Sequence, residues 1–182
     1  RPTYSLAKAV TGRTNSEDPN GQNYPKRSKK AKAYRKMFKA PPGYYVVECD
    51  LSQAELRVAA CMANDPVMIQ IYKDGGDIHR ATAAIVMGIT DVAFELLDKA
   101  TQKDARQKAK AVNFGFIFGM GWRKFIVYAK TQYNVVFTEA EAKRVRDGFF
   151  RKYRKLGPWH EAVREFALRH KFVRSFSGRV RH

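Results

Sequence analysis

From Gln102 to Phe118 the chain runs without a proline and with a single glycine, and it then meets Gly119-Met120-Gly121. A stretch of that length with so few breakers predicts one long helix closed by the glycines. Within it Arg106, Lys110, Phe114 and Phe118 recur at every fourth residue. Residues four apart on a helix lie one above the other, so the four side chains form a ridge about 18 Å long at about 1.5 Å rise per residue. The ridge is cationic at one end and aromatic at the other. Two arrangements satisfy that pattern: aromatics in a core with cations at the surface, or a surface that takes a triphosphate on Arg and Lys and stacks a base and sugar on the rings. Spacing alone leaves both open.

Charge narrows the partners. The 182 residues carry 35 Lys and Arg against 17 Asp and Glu, a formal net charge of +18, while 45% are hydrophobic. There is enough apolar material for a core in one large domain or two small ones, and the basic excess on a folded chain points to polyanions. No run of eighteen apolar residues exists and no signal-peptide pattern opens the chain, which argues against a membrane partner. Cys49 and Cys61 match neither a disulfide framework nor a zinc site, and they are expected to be buried or idle thiols in a reducing compartment. The chain begins at Arg1 rather than Met and reads as a piece of something longer. Residues 1–36 hold ten cations to two acids, residues 37–100 five to nine, and residues 101–182 twenty to six, so an acidic island separates two basic flanks. The run 26–36 fits a solvated loop and a nucleic-acid backbone contact equally well.

Local signals place the remaining elements. Residues 11–25 are dense in Gly, Pro, Asn and Asp and predict a loop. Residues 44–50 follow Pro41-Pro42-Gly43, are β-branched and aromatic, and predict a buried strand ending at Asp50. Ser52 and Glu55 have the form of a capping box that opens a helix to about Met62. Asp77 is expected to cap a helix to about Met87, with 91–100 a further candidate. Two more helices are expected, from Thr138 to about Lys155 and from Pro158 to His170, divided at Gly157. Residues 172–181 alternate around Ser177-Gly178 and suggest a strand entering a turn. The fold class is α+β, mostly helical with little sheet.

Four stretches together resemble one family. Asp50-Leu51-Ser52-Gln53-Ala54-Glu55-Leu56-Arg57 at a strand-to-helix junction resembles the first catalytic motif of family A DNA polymerases, the polymerase I group and its phage relatives. Arg106, Lys110, Phe114-Gly115 and Phe118-Gly119 resemble the same family's fingers-helix motif. Thr11-Gly12-Arg13 and the loop from Asp18 to Pro25 are similar to its loop entering the palm, and Asp77-Ile78-His79 falls where the family has an aspartate-isoleucine-histidine element. The motifs stand in the family's order over most of the chain.

The resemblance implies templated nucleotide addition, in which a primer 3′-hydroxyl attacks the α-phosphate of a dNTP with support from two magnesium ions. Asp50 and the Leu51 carbonyl would serve as metal ligands, since hard cations take carboxylate and carbonyl oxygens. Arg106 and Lys110 would hold the β- and γ-phosphates, with Lys110 placed to protonate the departing pyrophosphate. His79 would approach the phosphate tail, with an ordinary surface histidine as the competing role, and Phe114 would pack on sugar and base. Ser52, Gln53 and Glu55 would line the nucleotide, with Glu55 and the aromatic at 118 gating against a ribose 2′-hydroxyl. Position 118 is Phe where the family usually has Tyr, so bulk alone would reject ribonucleotides. Arg13, Asn20, Gln22, Asn23, Arg179 and Arg181 would contact primer-template DNA; for Asn20, Gln22 and Asn23, turn formation is the competing role.

The resemblance also implies a division of the chain: 1–62 partial palm with an antiparallel sheet, 63–170 helical fingers, 171–182 the start of a returning palm element. The family's third motif, with a second metal-binding aspartate, is expected beyond His182, and the thumb before Arg1. The chain alone would therefore be inactive, supplying only part of the two-metal site and needing the remainder of the polymerase as partner. Location is expected in the cytoplasm of a bacterium or phage-infected cell, with an organelle as alternative. A single-subunit RNA polymerase shares the motif order, but Glu55 and Asn113-Phe114-Gly115 argue against it. A non-catalytic basic nucleic-acid-binding module is the remaining alternative.

Overall fold

The computed structural model describes residues 1–9, 11–24 and 33–182. It divides into two compact units, Arg1–Leu51 and Ser52–His182. Most of the basic run 26–36 lies outside the described residues, as does Pro25.

The first unit has little regular structure. A small antiparallel pair, β1 (Thr3–Ser5) and β2 (Asn15–Glu17), aligns Tyr4 with Ser16. β2 lies within the stretch expected to be entirely loop. Ser16 is buried there and accepts the Gly21 N–H at 3.0 Å, which closes the turn beyond β2. The predicted buried strand over 44–50 is a correction. No strand forms there, and Tyr45 and Val47 are 92% and 80% exposed. A strand needs a neighbour to take its backbone N–H and C=O groups, and no described segment pairs with this one.

The second unit is helical: α1 (Ala54–Ala63), α2 (Pro66–Lys73), α3 (Ile78–Met87), α4 (Asp91–Glu95), α5 (Lys99–Ile117), α6 (Trp122–Tyr133), α7 (Glu139–Lys152) and α8 (Leu156–His170). A two-residue hairpin of β3 (Val173–Arg174) and β4 (Val180–Arg181) ends it. The expected mostly helical α+β class is what forms, with only two small antiparallel sheets among the described residues. Among the described residues no helix is long and apolar enough to cross a membrane.

The central element is α5, packed along α3 on one side and α6 on the other. Where α5 meets its neighbours the buried residues are small at one end and aromatic at the other. Ala105, Ala109, Ala111 and Val112 let helices approach closely, whereas Phe116 joins Phe125, Phe149 and Phe150 at ring separations of 4.5, 5.6 and 6.2 Å. Gly115 belongs to this second region, because a Cβ there would come within 2.8 Å of the Phe125 ring. Gly119 has φ +73°, the left-handed conformation that ends the helix as its sequence predicts.

Several boundaries differ from expectation for identifiable reasons. Ser52 and Glu55 form no capping box. Gln53 takes a left-handed conformation, φ 55°, and becomes the N-cap, so Glu55 falls one position short of the box. The helix expected over 91–100 breaks after Glu95. Asp98 caps α5 by accepting the N–H groups of Ala100 and Thr101 at 2.9 and 3.0 Å, and the Gln102 amide ties back the carbonyls of Phe94, Glu95 and Leu97. Gly157 does not divide the last two helices but sits with Pro158 in the first turn of α8, where a missing N–H costs nothing. The break is at 153–155, held by the buried Asp65 carboxylate, which accepts the Lys155 N–H at 2.9 Å. Neither α2 nor α6 is foreseen in the sequence analysis. Asp65-Pro66 is a readable start for α2, since Asp65 accepts from Val67 and Met68 with Pro at the first helical position. At Thr138 the capping box with Glu141 is complete.

Candidate functional site

The ridge exists. α5 carries Arg106, Lys110 and Phe114 on one face, and Phe118 follows as its C-cap residue. Phe114 and Phe118 stack at 6.4 Å between ring centroids with 20° between planes, and Phe118 is 61% exposed. Its one ring contact among the described residues is Phe114, and most of the side chain is left in solvent at the helix end. The choice left open by spacing is thereby narrowed: Phe116 supplies the fully buried aromatic of this helix, Phe114 packs half-buried against the core, and Phe118 stays in solvent.

Beside the ridge stands the start of α3. Asp77 caps this helix by accepting the His79 N–H at 2.9 Å on Oδ1, and its Oδ2 takes the Arg106 Nε–H. The amide of Gln53 donates to Asp77 Oδ1 at 3.3 Å, while its oxygen accepts from the Tyr72 hydroxyl at 3.3 Å. Asp77 is thus the hub joining the starts of α1 and α3 to the middle of α5. Burial works against its charge, but the Arg106 hydrogen bond, the His79 N–H and the Arg106 charge together hold the carboxyl below its usual range. Since Nε of Arg106 is the nitrogen engaged, the two terminal nitrogens remain for another acceptor. The side chain of Lys110, one turn on, has no hydrogen bond or ion pair among the described residues.

His79 is buried, 4% exposed, with its ring 5.8 Å from Phe114. Burial first, then the charges of Arg106 and Lys110, push its pKa down to about 4 against the opposing pull of Asp77. The ring is neutral at pH 7. Its Nδ1 lies 2.9 Å from the Asn113 amide. Asp77, Asn113, Thr82, Tyr72 and Tyr153 also support the site, although the sequence motifs assign none of them a site role. A polar Asn113 inside an otherwise apolar helix face was the available signal for one of them.

Other sequence-derived candidates fall elsewhere. Glu55 stands on the exposed side of the first turn of α1, and the Ser52 carbonyl accepts the Arg57 Nε–H at 3.0 Å. Asp50 and Leu51 belong to the first unit and are exposed. Arg13, Asn20, Gln22 and Asn23 are also in the first unit and exposed. Asn20 accepts the Gln22 N–H at 3.0 Å and Gln22 donates to Thr14 at 2.6 Å, so both side chains shape the turn they sit in. Arg179 and Arg181 lie on the terminal hairpin, exposed, with the Arg179 N–H donated to the Ser175 hydroxyl at 3.1 Å. Among the described residues no group of three or more His, Cys, Asp or Glu is gathered as a metal would require.

All of residues 1–182 match the family model described as DNA polymerase family A. DNA polymerase I of Aquifex aeolicus is 37% identical over 164 residues, 90% of this chain and 26% of that protein. DNA polymerase I of Pseudomonas aeruginosa is 38% identical over 179 residues, 97% of this chain and 18% of the relative. The thermostable DNA polymerase I of Thermus aquaticus is 32% identical, covering 98% and 20%. The chain therefore spans about a quarter or less of the length of these relatives. In fold it is similar to the POL domain of Pol1 from M. smegmatis, solved in complex with DNA primer-template and dNTP, with a TM-score of 0.80 at 24% identity over 100% of this chain and 30% of that one.

Proposed function

Because the chain belongs to DNA polymerase family A, we propose that it is the nucleotide-selecting part of a template-directed DNA polymerase, with residues 63–170 as fingers and the flanking segments as palm. The observation that carries this reading is the ridge on α5, cationic at Arg106 and Lys110 and aromatic at Phe114 and the exposed Phe118, with His79 beside it. A dNTP laid along it puts its β- and γ-phosphates on Arg106 and Lys110 and its sugar and base on the two rings. Two cations aimed at one end of the nucleotide stabilise the charge that develops on pyrophosphate as the bond to the α-phosphate breaks, and Lys110 holds the proton that the leaving group takes. Asp77, by holding Nε of Arg106, orients that guanidinium before the nucleotide arrives. Glu55 beneath the sugar, opposite Phe118, excludes the 2′-hydroxyl by bulk, with Ser52 and Gln53 beside it.

Magnesium supplies charge neutralisation and activation of the attacking oxygen in such reactions. Asp50 and the Leu51 carbonyl are hard oxygen donors suited to it, but they are too few to enclose the ion. This chain's own part is to bind and orient. DNA contacts fall to Arg13, Asn20, Gln22, Asn23, Arg179 and Arg181, drawn to phosphate and groove acceptors. The setting is the cytoplasm of a bacterial or phage-infected cell.

Primer extension by the chain, alone and joined to a palm segment carrying a second metal-binding aspartate, tests the reading. Extension is expected only in the second case, and none in either case refutes it. In the active assembly Lys110→Ala is expected to lower the turnover at least a hundredfold with primer-template affinity within about threefold, the loss typical of removing a general acid. Unchanged turnover removes Lys110 from the chemistry.

A further inference from the structure

Five residues link α3, α5 and α7 through one buried line of hydrogen bonds. Tyr153 and Asn113 are wholly buried, as is Thr82. The Asn113 amide carbonyl lies 2.9 Å from the Thr82 hydroxyl, which lies 2.9 Å from the Tyr153 hydroxyl and 2.9 Å from the Ile78 carbonyl. The Asn113 amide nitrogen lies 2.9 Å from His79 Nδ1 and 3.5 Å from the same Ile78 carbonyl.

Proton bookkeeping gives this line a direction. A backbone carbonyl only accepts, so the edge of the Asn113 amide beside Ile78 must be its NH₂ group. That NH₂ also meets His79 Nδ1, which must therefore present a lone pair. Thr82 has one proton, and its two acceptors are the Ile78 carbonyl and the Asn113 carbonyl. Tyr153, with no other partner, then donates to Thr82; burial keeps it a phenol by raising its pKa. Donation runs from Tyr153 toward His79. In a neutral imidazole whose Nδ1 accepts, the proton is on Nε2. No buried side-chain nitrogen or oxygen among the described residues lacks a hydrogen bond, yet Nε2 has no hydrogen-bond partner among them, so it opens to solvent. The charged groups acting on the ring are Asp77 at the start of α3 and Arg106 and Lys110 on α5.

We propose that Asn113, backed by Thr82 and Tyr153, is a positioning residue that locks His79 as the neutral imidazole protonated on Nε2, so that His79 meets the nucleotide's phosphates as a hydrogen-bond donor rather than as a third cation or a base. The phosphate half of this statement rests on the proposed function; the lock does not. The lock explains why an asparagine is buried in a helix that is otherwise apolar at that depth. It also keeps the site's charge constant while pH crosses the ordinary histidine range.

Nitrogen-15 NMR of the chain labelled at histidine reads the tautomer directly through two-bond correlations to the ring protons. His79 is expected to show a protonated Nε2 and a bare Nδ1 from pH 8 to about pH 5. A Nδ1-protonated or cationic ring at pH 7 overturns the lock. In Asn113→Asp the carboxylate accepts a Nδ1–H, and the ring is expected to turn cationic near neutrality; a ring still protonated on Nε2 alone overturns the assignment to Asn113. If that variant does not fold, Thr82→Val serves: freeing the Asn113 carbonyl is expected to give a mixture of tautomers, and an unchanged spectrum removes Thr82 and Tyr153 from the lock. Adding dATP is expected to shift the His79 Nε2 signal. The expected tautomer with no shift leaves the lock standing and refutes the phosphate contact.

Discussion

The two units bury very different amounts of what they carry. Every apolar residue of the core, from Leu56 to Leu156, lies in the second unit, whereas Ser16 is the only buried residue described in the first. Yet 44–50 carries two tyrosines and two valines among its seven residues. The difference lies in where each backbone finds its hydrogen bonds. A helix closes its own and then needs only one face covered, which neighbouring helices a few residues away in sequence supply. A strand closes none until another strand is laid beside it.

That contrast predicts graded effects. Phe116→Ala removes a wholly buried ring in contact with three others and is expected to cost about 3–5 kcal/mol, measured by urea unfolding. A cost under 1 kcal/mol means the aromatic layer is not the core. Asp65→Ala leaves the N–H groups of Val67, Met68 and Lys155 without their acceptor, for roughly 2–4 kcal/mol.

Acidification acts next. His79 has a folded pKa of about 4, below its ordinary 6.5, so folding favours the neutral ring. Its contribution is complete above about pH 6.5 and is lost as pH falls toward 4, at most about 3.5 kcal/mol at about 1.4 kcal/mol per pKa unit. Asp77, whose carboxyl is held below 3.8, gives way only in more acidic solution. His79→Gln is expected to flatten stability between pH 6.5 and 4.5, and an unchanged slope places that dependence elsewhere. Smallest is Val47→Glu in the exposed segment, expected to change stability by no more than about 0.5 kcal/mol. A loss above 1 kcal/mol would show that 44–50 is buried after all.

Legibility followed the same line. α3, α5, α7 and their caps at Asp77, the closing glycines and Thr138 could be read because each signal is local: a side chain that accepts a nearby N–H, a breaker, a four-residue period. α6 was not read, having only Gly121 at its start and no side-chain cap. The box at Ser52 misled because Gln53 is captured by Asp77 and Tyr72, residues distant in sequence. The ridge was read in full, and the polar support behind it was not. Asn113 and Thr82 are 31 positions apart, and Thr82 and Tyr153 are 71.

Residue order alone set the helical class, the basic character and the succession of cation and ring along α5, since these depend on composition and on a period of four. Which face of that helix stays open, where Arg106 is held and which nitrogen of His79 carries the proton were settled only when α3 and α7 closed on α5. Those outcomes depend on distances between groups far apart in the chain, and a hydrogen bond exists only where such distances close to about 3 Å.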